Sequence, residues 1–237
     1  MPEEINRILT DRISDILFTT SEDANINLLS EGIERDKIHY VGNTMIDSLI
    51  YNLKIAEKSM ILEQLSLTKN DYAVLTLHRP ANVDDKDVLI KVMDIIKMVS
   101  SKIDVVYPIH PRTLDALYRY ALYEDAKSIS GLRIMEPLGY LDFLKLISNS
   151  KMLLTDSGGI QEEATYLNTP CLTMREETER PITVEQGSNT IVGLDFEKIK
   201  NTIAMIINGE YKKASIPELW DGKASERIVS VLQKCQL

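Results

Sequence analysis

At 237 residues the chain is long enough to bury a core in one or two domains, and 44% hydrophobic with 27% charged residues is typical of a globular protein. The net charge of −9 argues against a general nucleic-acid binder, because no basic surplus is available to neutralise phosphates. No apolar run reaches the ~18–20 residues that span a bilayer, and the start lacks the features of a signal peptide. Cys171 and Cys235 lie far apart with no metal-ligand partners nearby, which indicates reduced thiols and predicts a cytoplasmic protein.

Short apolar strands alternate with helical patterns along the chain. Helices are predicted at 3–13, 22–31, 44–63, 84–100, 112–121, 140–148, 158–167, 195–207 and 224–235. Strands are predicted at 16–19, 38–41, 73–77, 105–109, 133–135, 152–155, 171–174 and 189–192. This alternation predicts an α/β fold with a doubly wound parallel sheet, in which ligands bind at the carboxyl ends of the strands.

Histidine and arginine residues follow several of these strands. His78 and Arg79 come after the strand at 73–77, and His110 follows the strand at 105–109. An imidazole can transfer protons near neutral pH, and a guanidinium can clamp phosphate in a bidentate way. The alternative for such a histidine is a loop residue that caps the next helix.

A buried strand that turns through two glycines into a helix is the most informative motif, at residues 152–167. Asp156 or Ser157 is expected to cap the helix, and Gly158 and Gly159 would let a ligand approach the backbone closely. Free N–H groups and the helix dipole then predict an anion site, most naturally for phosphate. The alternative is an ordinary strand-to-helix turn with a capped helix.

Within this helix the spacing predicts that an apolar stripe faces the sheet, formed by Ile160, Ala164 and Leu167. Gln161 and Glu162 are expected to point away from the stripe, and Glu163 to lie at its edge. A carboxylate about one turn from a phosphate site is well placed to accept hydrogen bonds from a ribose diol.

The segment 174–181 adds two arginines and three glutamates after a buried strand. Glu176 and Glu177 are expected in a solvated loop, whereas Arg180 precedes a proline and could be held towards a ligand. No Cys/His cluster has zinc spacing, and the phosphate-loop, nucleophile-elbow and dinucleotide fingerprints are lacking. The sequence therefore predicts a metal-free site of the nucleotide-sugar type.

Taken together, the motifs resemble those of the non-hydrolysing UDP-N-acetylglucosamine 2-epimerases. The strongest match is Asp156–Ala164 with Met174-Arg175 and Thr178–Pro181. Further matches, in the family's order, are Pro2–Arg7, Val41–Asp47, Leu77–Arg79 with Asn82-Val83, His110–Thr113 and Asp221–Ile228.

The resemblance implies a GT-B architecture of two Rossmann-like domains, of which this chain would be the C-terminal half. It implies the interconversion of UDP-N-acetylglucosamine and UDP-N-acetylmannosamine, without a cofactor or metal, by elimination and re-addition of UDP. The implied catalytic residues are Glu3 and His78. The implied UDP-binding residues are Phe143, Ser157, Gly158, Gly159, Glu163 and Arg180, and a possible regulatory substrate site would use Arg79 and His110.

Two departures from the family pattern limit what the resemblance implies. Ala81 stands where many members have glutamate, which puts the detail of the regulatory site in doubt.

The family's N-terminal domain has no counterpart in this sequence, and residues 3–13 open a helix abruptly. We therefore expect a fragment or split-gene product, with residues 1–15 as an inter-domain remnant, 16–222 as the UDP-binding domain and 223–237 as a helix packing towards the missing domain. Both terminal helices are expected to expose apolar faces.

Three functions remain open on the sequence alone. The chain could be the UDP-binding half of an epimerase, active only with an N-terminal domain or partner chain. It could instead be a stand-alone UDP-sugar binding module, or a GT-B glycosyltransferase domain. The expected partners are UDP-N-acetylglucosamine or UDP, and a second copy of the chain is a candidate partner. Neither nucleic acid nor membrane is expected.

Overall fold

The computed structural model describes residues 2–234, with side chains from Glu4 onward. This part of the chain forms two compact units. One contains the residues up to Tyr51 together with those from Ile216 onward, and the other is Asn52–Ser215. The predicted boundaries at 15/16 and 222/223 stay a prediction.

The smaller unit contains a two-stranded parallel sheet. Its elements are α1 (Pro2–Ile13), β1 (Leu17–Thr19), α2 (Glu22–Ser30), a 3-10 helix (Arg35–Lys37), β2 (Ile38–Tyr40) and the C-terminal helix α13 (Ala224–Lys234). The first part of α3 (Thr44–Ala56) also belongs to this unit. Asp47 accepts the N–H groups of Ala224 and Ser225 and so caps α13. As predicted, both terminal helices expose apolar side chains, among them Ile5, Leu9, Ile13 and Val229.

The larger unit carries a six-stranded sheet. Its strands are β3 (Tyr72–Thr76), β4 (Asp104–Pro108), β5 (Leu132–Met135), β6 (Met152–Thr155), β7 (Cys171–Thr173) and β8 (Asn189–Ile191). Its helices are α4 (Ile61–Gln64), α5 (Pro80–Val83), α6 (Lys86–Ser100), α7 (Pro111–Arg119), α8 (Tyr123–Lys127), α9 (Tyr140–Ser148), α10 (Gly158–Leu167), α11 (Pro181–Glu185) and α12 (Phe196–Ile207). All eight predicted strands of the chain are present, each within one residue of its expected bounds.

The six strands are all parallel and lie in the order β5-β4-β3-β6-β7-β8. Counted along the chain within this unit, that order reads 3-2-1-4-5-6, as in dinucleotide-binding doubly wound folds. The chain leaves β3 in one direction along the sheet and leaves β6 in the other. Right-handed crossovers then place α6 and α10 on opposite faces. The predicted α/β doubly wound fold is confirmed.

One predicted helix, at 44–63, is interrupted. α3 ends at Ala56 and α4 begins at Ile61. Between them the Ser59 hydroxyl accepts the N–H of Ile61 at 3.2 Å and donates to Asp142 at 2.5 Å. A serine side chain that binds a nearby backbone N–H competes with the helical ladder, which explains the break without glycine or proline.

No helix in the described residues is both long and apolar enough to span a bilayer.

Candidate nucleotide-binding site

The candidate site lies in the larger unit, where the strand order reverses between β3 and β6. These two strands pair in register from Ala73–Met152 to Thr76–Thr155, so their carboxyl ends are side by side. Ligands of open α/β sheets bind outside the strand ends at this reversal. His78 and Arg79 leave β3 there, and Asp156 leaves β6.

The Asp156 carboxylate is completely buried at this position. Its Oδ2 accepts the backbone N–H of Arg79 at 2.8 Å, the N–H of His78 at 3.0 Å and the Asn82 amide at 3.1 Å. Its Oδ1 lies 3.0 Å from Nδ1 of His78. Burial acts to raise the pKa of Asp156, but the His78 side chain and the two backbone N–H groups together outweigh it, and the pKa is lowered.

The expectation that Asp156 or Ser157 caps α10 is therefore wrong. Both Asp156 oxygens are turned towards the loop after β3, and Ser157 stands at the cap position without a side-chain cap bond. A β-carbon built at Gly158 would meet no atom of the described residues within 4 Å, so among them the space there is open. The first turn of α10 thus has no side-chain cap and open space beside its backbone, which suits an anion.

His78 lies beside a second histidine at the end of β4. The ring centroids of His78 and His110 are 5.3 Å apart, with an angle of 35° between the ring planes. His110 Nδ1 accepts the backbone N–H of Arg112 at 3.1 Å and caps α7. The helix-capping alternative thus holds for His110, while its ring also borders His78.

The face of α10 that packs inward is more polar than expected. Of the predicted stripe only Ala164 is fully buried, whereas Gln161 and Glu162 are 0% and 2% exposed. We expected these two residues to point away from the apolar stripe, and the structure shows that they are nevertheless buried. Gln161 Oε1 accepts from Thr178 at 2.6 Å and from Asn189 at 3.0 Å, so a buried hydrogen-bond network takes the place of apolar contacts.

Glu163 is also nearly buried, at 7% exposed, and its partner is a tyrosine that the sequence analysis did not single out. The Tyr140 hydroxyl, at the start of α9, donates to Glu163 Oε1 at 2.9 Å. Burial raises the pKa of Glu163, the Tyr140 hydrogen bond lowers it, and repulsion from Glu162 raises it, with a net increase. Phe143 lies on the same helix, one turn beyond Tyr140, and is half-buried.

The loop between β7 and α11, residues 174–180, carries two arginines held by carboxylates. Arg175 forms a bidentate pair with Glu179, with both N–O distances at 2.7 Å. This hydrogen bonding lowers the pKa of Glu179 to about 2. Arg180 Nε lies 2.9 Å from Oε1 of the buried Glu162, and its side chain is 43% exposed. Glu177 is exposed, as expected of a solvated loop.

The contacts join only some of the predicted site residues. His78, Arg79 and His110 meet through Asp156 and the paired rings at the ends of β3, β4 and β6. Ser157, Gly158, Gly159 and Glu163 belong to the start of α10, where Glu163 bonds to Tyr140, while Arg180 forms an ion pair with Glu162 of the same helix and Phe143 lies on α9. Glu3 belongs to α1 of the smaller unit, and its side chain lies outside the described residues. Within the part of the chain that the structure describes, no group of three or more His, Cys, Asp or Glu side chains could hold a metal ion.

Comparison with known proteins agrees with the motifs. The family model for UDP-N-acetylglucosamine 2-epimerase matches residues 1–233. The UDP-N-acetylglucosamine 2-epimerase of Methanocaldococcus jannaschii is 45% identical over 237 residues, covering 98% of this chain and 64% of the relative. The UDP-2,3-diacetamido-2,3-dideoxy-D-glucuronate 2-epimerase of Pseudomonas aeruginosa is 35% identical, covering 99% of this chain and 64% of the relative.

Solved structures agree in fold. The Methanocaldococcus jannaschii UDP-GlcNAc 2-epimerase in complex with UDP-GlcNAc and UDP matches 99% of this chain and 65% of its own, with a TM-score of 0.87 and 45% identity. The enzyme from Neisseria meningitidis bound to UDP-GlcNAc matches 98% of this chain and 65% of its own, with a TM-score of 0.84 and 33% identity. The chain therefore spans about two thirds of the length of these relatives, and it belongs to the UDP-N-acetylglucosamine 2-epimerase family.

Proposed function

We propose that this chain binds the UDP part of a nucleotide sugar at the carboxyl ends of β3 and β6 and serves in the interconversion of UDP-N-acetylglucosamine and UDP-N-acetylmannosamine. The observation that carries the proposal is the start of α10. It has no side-chain cap, it borders open space at Gly158, and the carboxylate of Glu163 lies about one turn further on.

The diphosphate would lie against Ser157, Gly158 and Gly159. Backbone N–H groups at a helix start bind anions because they point at the ligand and the helix dipole favours negative charge. The exposed part of Arg180 could add positive charge, as could the Arg79 guanidinium, whose buried Nε has no hydrogen-bond partner among the described residues.

The nucleoside would extend from there towards α9. Glu163 would accept hydrogen bonds from the ribose hydroxyls through the oxygen lone pairs that Tyr140 leaves free. Phe143, half-buried on the same helix as Tyr140, would line the uracil pocket.

The reaction would begin with removal of the proton at C2 and cleavage of the bond from C1 to the UDP oxygen, which leaves a 2-acetamidoglucal. The proton then returns to the opposite face of C2 as UDP adds back to C1. His78, with its ring at this edge of the sheet, is the candidate proton-transfer group of the larger unit. Glu3 is the second candidate.

We further propose that the 237 residues bind UDP but need groups from outside this sequence for turnover. The support is that the match covers only 64–65% of the length of the relatives named as epimerases. About a third of those proteins therefore lies outside the match.

Calorimetric titration with UDP, followed by an epimerisation assay on the same sample, tests the proposal. UDP binding without turnover is the expected result. Turnover by the chain alone would remove the need for outside groups, and a UDP-sugar binding module or a glycosyltransferase domain would show no epimerisation in any assembly. No binding of UDP would refute the proposed site.

A glycine variant makes the test specific to the start of α10. At Gly158 a β-carbon would meet no atom of the described residues within 4 Å. Gly158→Ala should therefore fold normally but obstruct the diphosphate, at a cost of roughly 1–3 kcal/mol, or about 5- to 150-fold in UDP affinity. Glu177→Gln, at an exposed position of the 174–180 loop, is the control and should bind UDP as the parent does. Equal affinities in all three proteins would exclude the start of α10 as the phosphate site.

A further inference from the structure

Asp156 has its hydrogen bonds in the loop that carries His78. Its Oδ2 faces the backbone N–H groups of His78 and Arg79 and the Asn82 amide, at 2.8–3.1 Å. Asn82 also donates to the carbonyl oxygen of Met174 at 3.0 Å. One buried carboxylate and one buried amide therefore fasten the chain at the ends of β3, β6 and β7.

The remaining oxygen of Asp156 decides where the His78 proton lies. An ionised carboxylate only accepts hydrogen bonds, and Oδ1 is 3.0 Å from His78 Nδ1. Nδ1 must then carry the hydrogen, and in the neutral ring the free lone pair belongs to Nε2.

The neighbouring histidine has the opposite arrangement. His110 Nδ1 accepts the backbone N–H of Arg112 and so carries no hydrogen, which leaves the proton of the neutral ring on Nε2. Two rings 5.3 Å apart are thus set to opposite tautomers, one by a carboxylate and the other by a helix N–H group.

We propose that Asp156 is a positioning residue, which holds His78 in the Nδ1–H tautomer and so makes Nε2 the atom that accepts a proton at the nucleotide-sugar site. This inference rests on the proposed function and deepens it. A proton taken up at Nε2 produces an imidazolium whose charge is balanced by the Asp156 carboxylate. Because His78 reaches C2 from one face only, a second group must deliver the proton to the opposite face. Asp156 itself stays ionised and does not touch the substrate.

Exchange of the carboxylate for an amide tests this role. In Asp156→Asn the amide oxygen can still accept hydrogen bonds from the backbone N–H groups. The amide NH₂ group would face His78 and donate to Nδ1, which favours the tautomer without a hydrogen on Nδ1. In Ser-His-Asp triads the same exchange leaves the geometry intact and lowers kcat about 10⁴-fold, because the histidine takes the wrong tautomer.

The measurement is a long-range ¹H–¹⁵N correlation spectrum of the ¹⁵N-labelled 237-residue protein, which has only three histidines to assign. We expect His78 with its proton on Nδ1 and His110 with its proton on Nε2. In Asp156→Asn the His78 proton should move to Nε2 while His110 is unchanged. Asp195→Asn is the control, because Asp195 also accepts a backbone N–H group, at the start of α12, but is exposed and far in sequence from all three histidines.

The parent spectrum is decisive even if Asp156→Asn fails to fold. A His78 proton on Nε2 in the parent protein would overturn the inference, as would a folded Asp156→Asn variant with an unchanged His78 tautomer. Titration with UDP separates this inference from the proposed function. UDP binding with the wrong tautomer refutes only the positioning role, whereas the expected tautomer without UDP binding refutes the proposed site.

Discussion

Replacement of Glu163 by glutamine should weaken UDP binding and stabilise the ligand-free protein at the same time. Burial raises the pKa of Glu163, so the folded protein holds this proton more tightly than the unfolded chain. The protonated Glu163 side chain therefore contributes its full stabilisation below the pKa of the unfolded chain, about 4.3. This contribution to the free energy of unfolding is lost as the pH rises through the higher pKa of the folded protein. At pH 7 the ionised side chain destabilises the fold, and a neutral isostere removes that cost.

The loss of affinity follows from the acceptors that remain. A hydrogen bond to a charged group contributes about 1.5–3 kcal/mol and a neutral one about 0.5–1.5 kcal/mol. The glutamine oxygen can still accept from Tyr140 at the position that Glu163 Oε1 occupies, so the ribose would lose its charged acceptor but keep a polar neighbour. The difference of about 1 kcal/mol corresponds to roughly fivefold weaker UDP binding.

Calorimetry with UDP and urea unfolding between pH 4 and pH 8 measure the two effects of Glu163→Gln. Glu177→Gln changes the net charge equally at an exposed position and should change neither quantity. Unchanged UDP affinity would remove Glu163 from the site. A Glu163→Gln protein that is less stable than the parent at pH 7 would refute the desolvation argument.

Three further substitutions test single contacts. Tyr140→Phe removes the hydroxyl that donates a hydrogen bond to Glu163. Because Tyr140 is 42% exposed, water can replace much of that hydrogen bond. Calorimetry should therefore show UDP affinity reduced about twofold, or ~0.5 kcal/mol. Glu179→Gln should lower the free energy of unfolding by about 0.5 kcal/mol at pH 7, since the pair with Arg175 is partly exposed. The lowered pKa of Glu179 makes its stabilisation full above about pH 4.5 and lost as the pH falls towards about 2, so urea unfolding at pH 7 and pH 3 should show the difference shrink. Gly187→Ala should lower the free energy of unfolding, measured by urea unfolding, by roughly 1–3 kcal/mol, because the new β-carbon would lie 2.6 Å from a backbone carbonyl oxygen in α11.

The sequence predicts the strands well because each is a short apolar run that ends abruptly. Met152–Thr155 is buried along its whole length, as the unbroken apolar pattern indicates for a parallel strand. The short helices are missed for a physical reason. α5 and α11 each begin at a proline and last four or five residues, too short for a helical period to be visible.

The polar contacts of the site are the part that sequence patterns could not predict. Gln161 and Glu162 look like solvent-facing positions by spacing alone, and their burial depends on partners such as Asn189, which lies 28 residues from Gln161 in sequence. Tyr140 precedes Glu163 by 23 residues and gives no local signal of their contact. Residue type indicates which strand ends bear candidate site residues, but the order of the strands in the sheet decides which of those residues meet.

Asp156 is an example of a polar contact that local sequence does not predict. An aspartate just before a helix is a typical N-cap residue, yet both Asp156 oxygens accept hydrogen bonds from the loop after β3. Had it capped α10, a carboxylate would occupy the N–H groups that an anion needs, and it would repel a diphosphate. Its hydrogen bonds to the loop after β3 instead leave the first turn of α10 without a side-chain cap and hold the His78 ring by Nδ1. The negative charge is balanced by donors within the loop, as its lowered pKa indicates. One departure from a local rule therefore accounts for both the open start of α10 and the fixed orientation of the imidazole beside it.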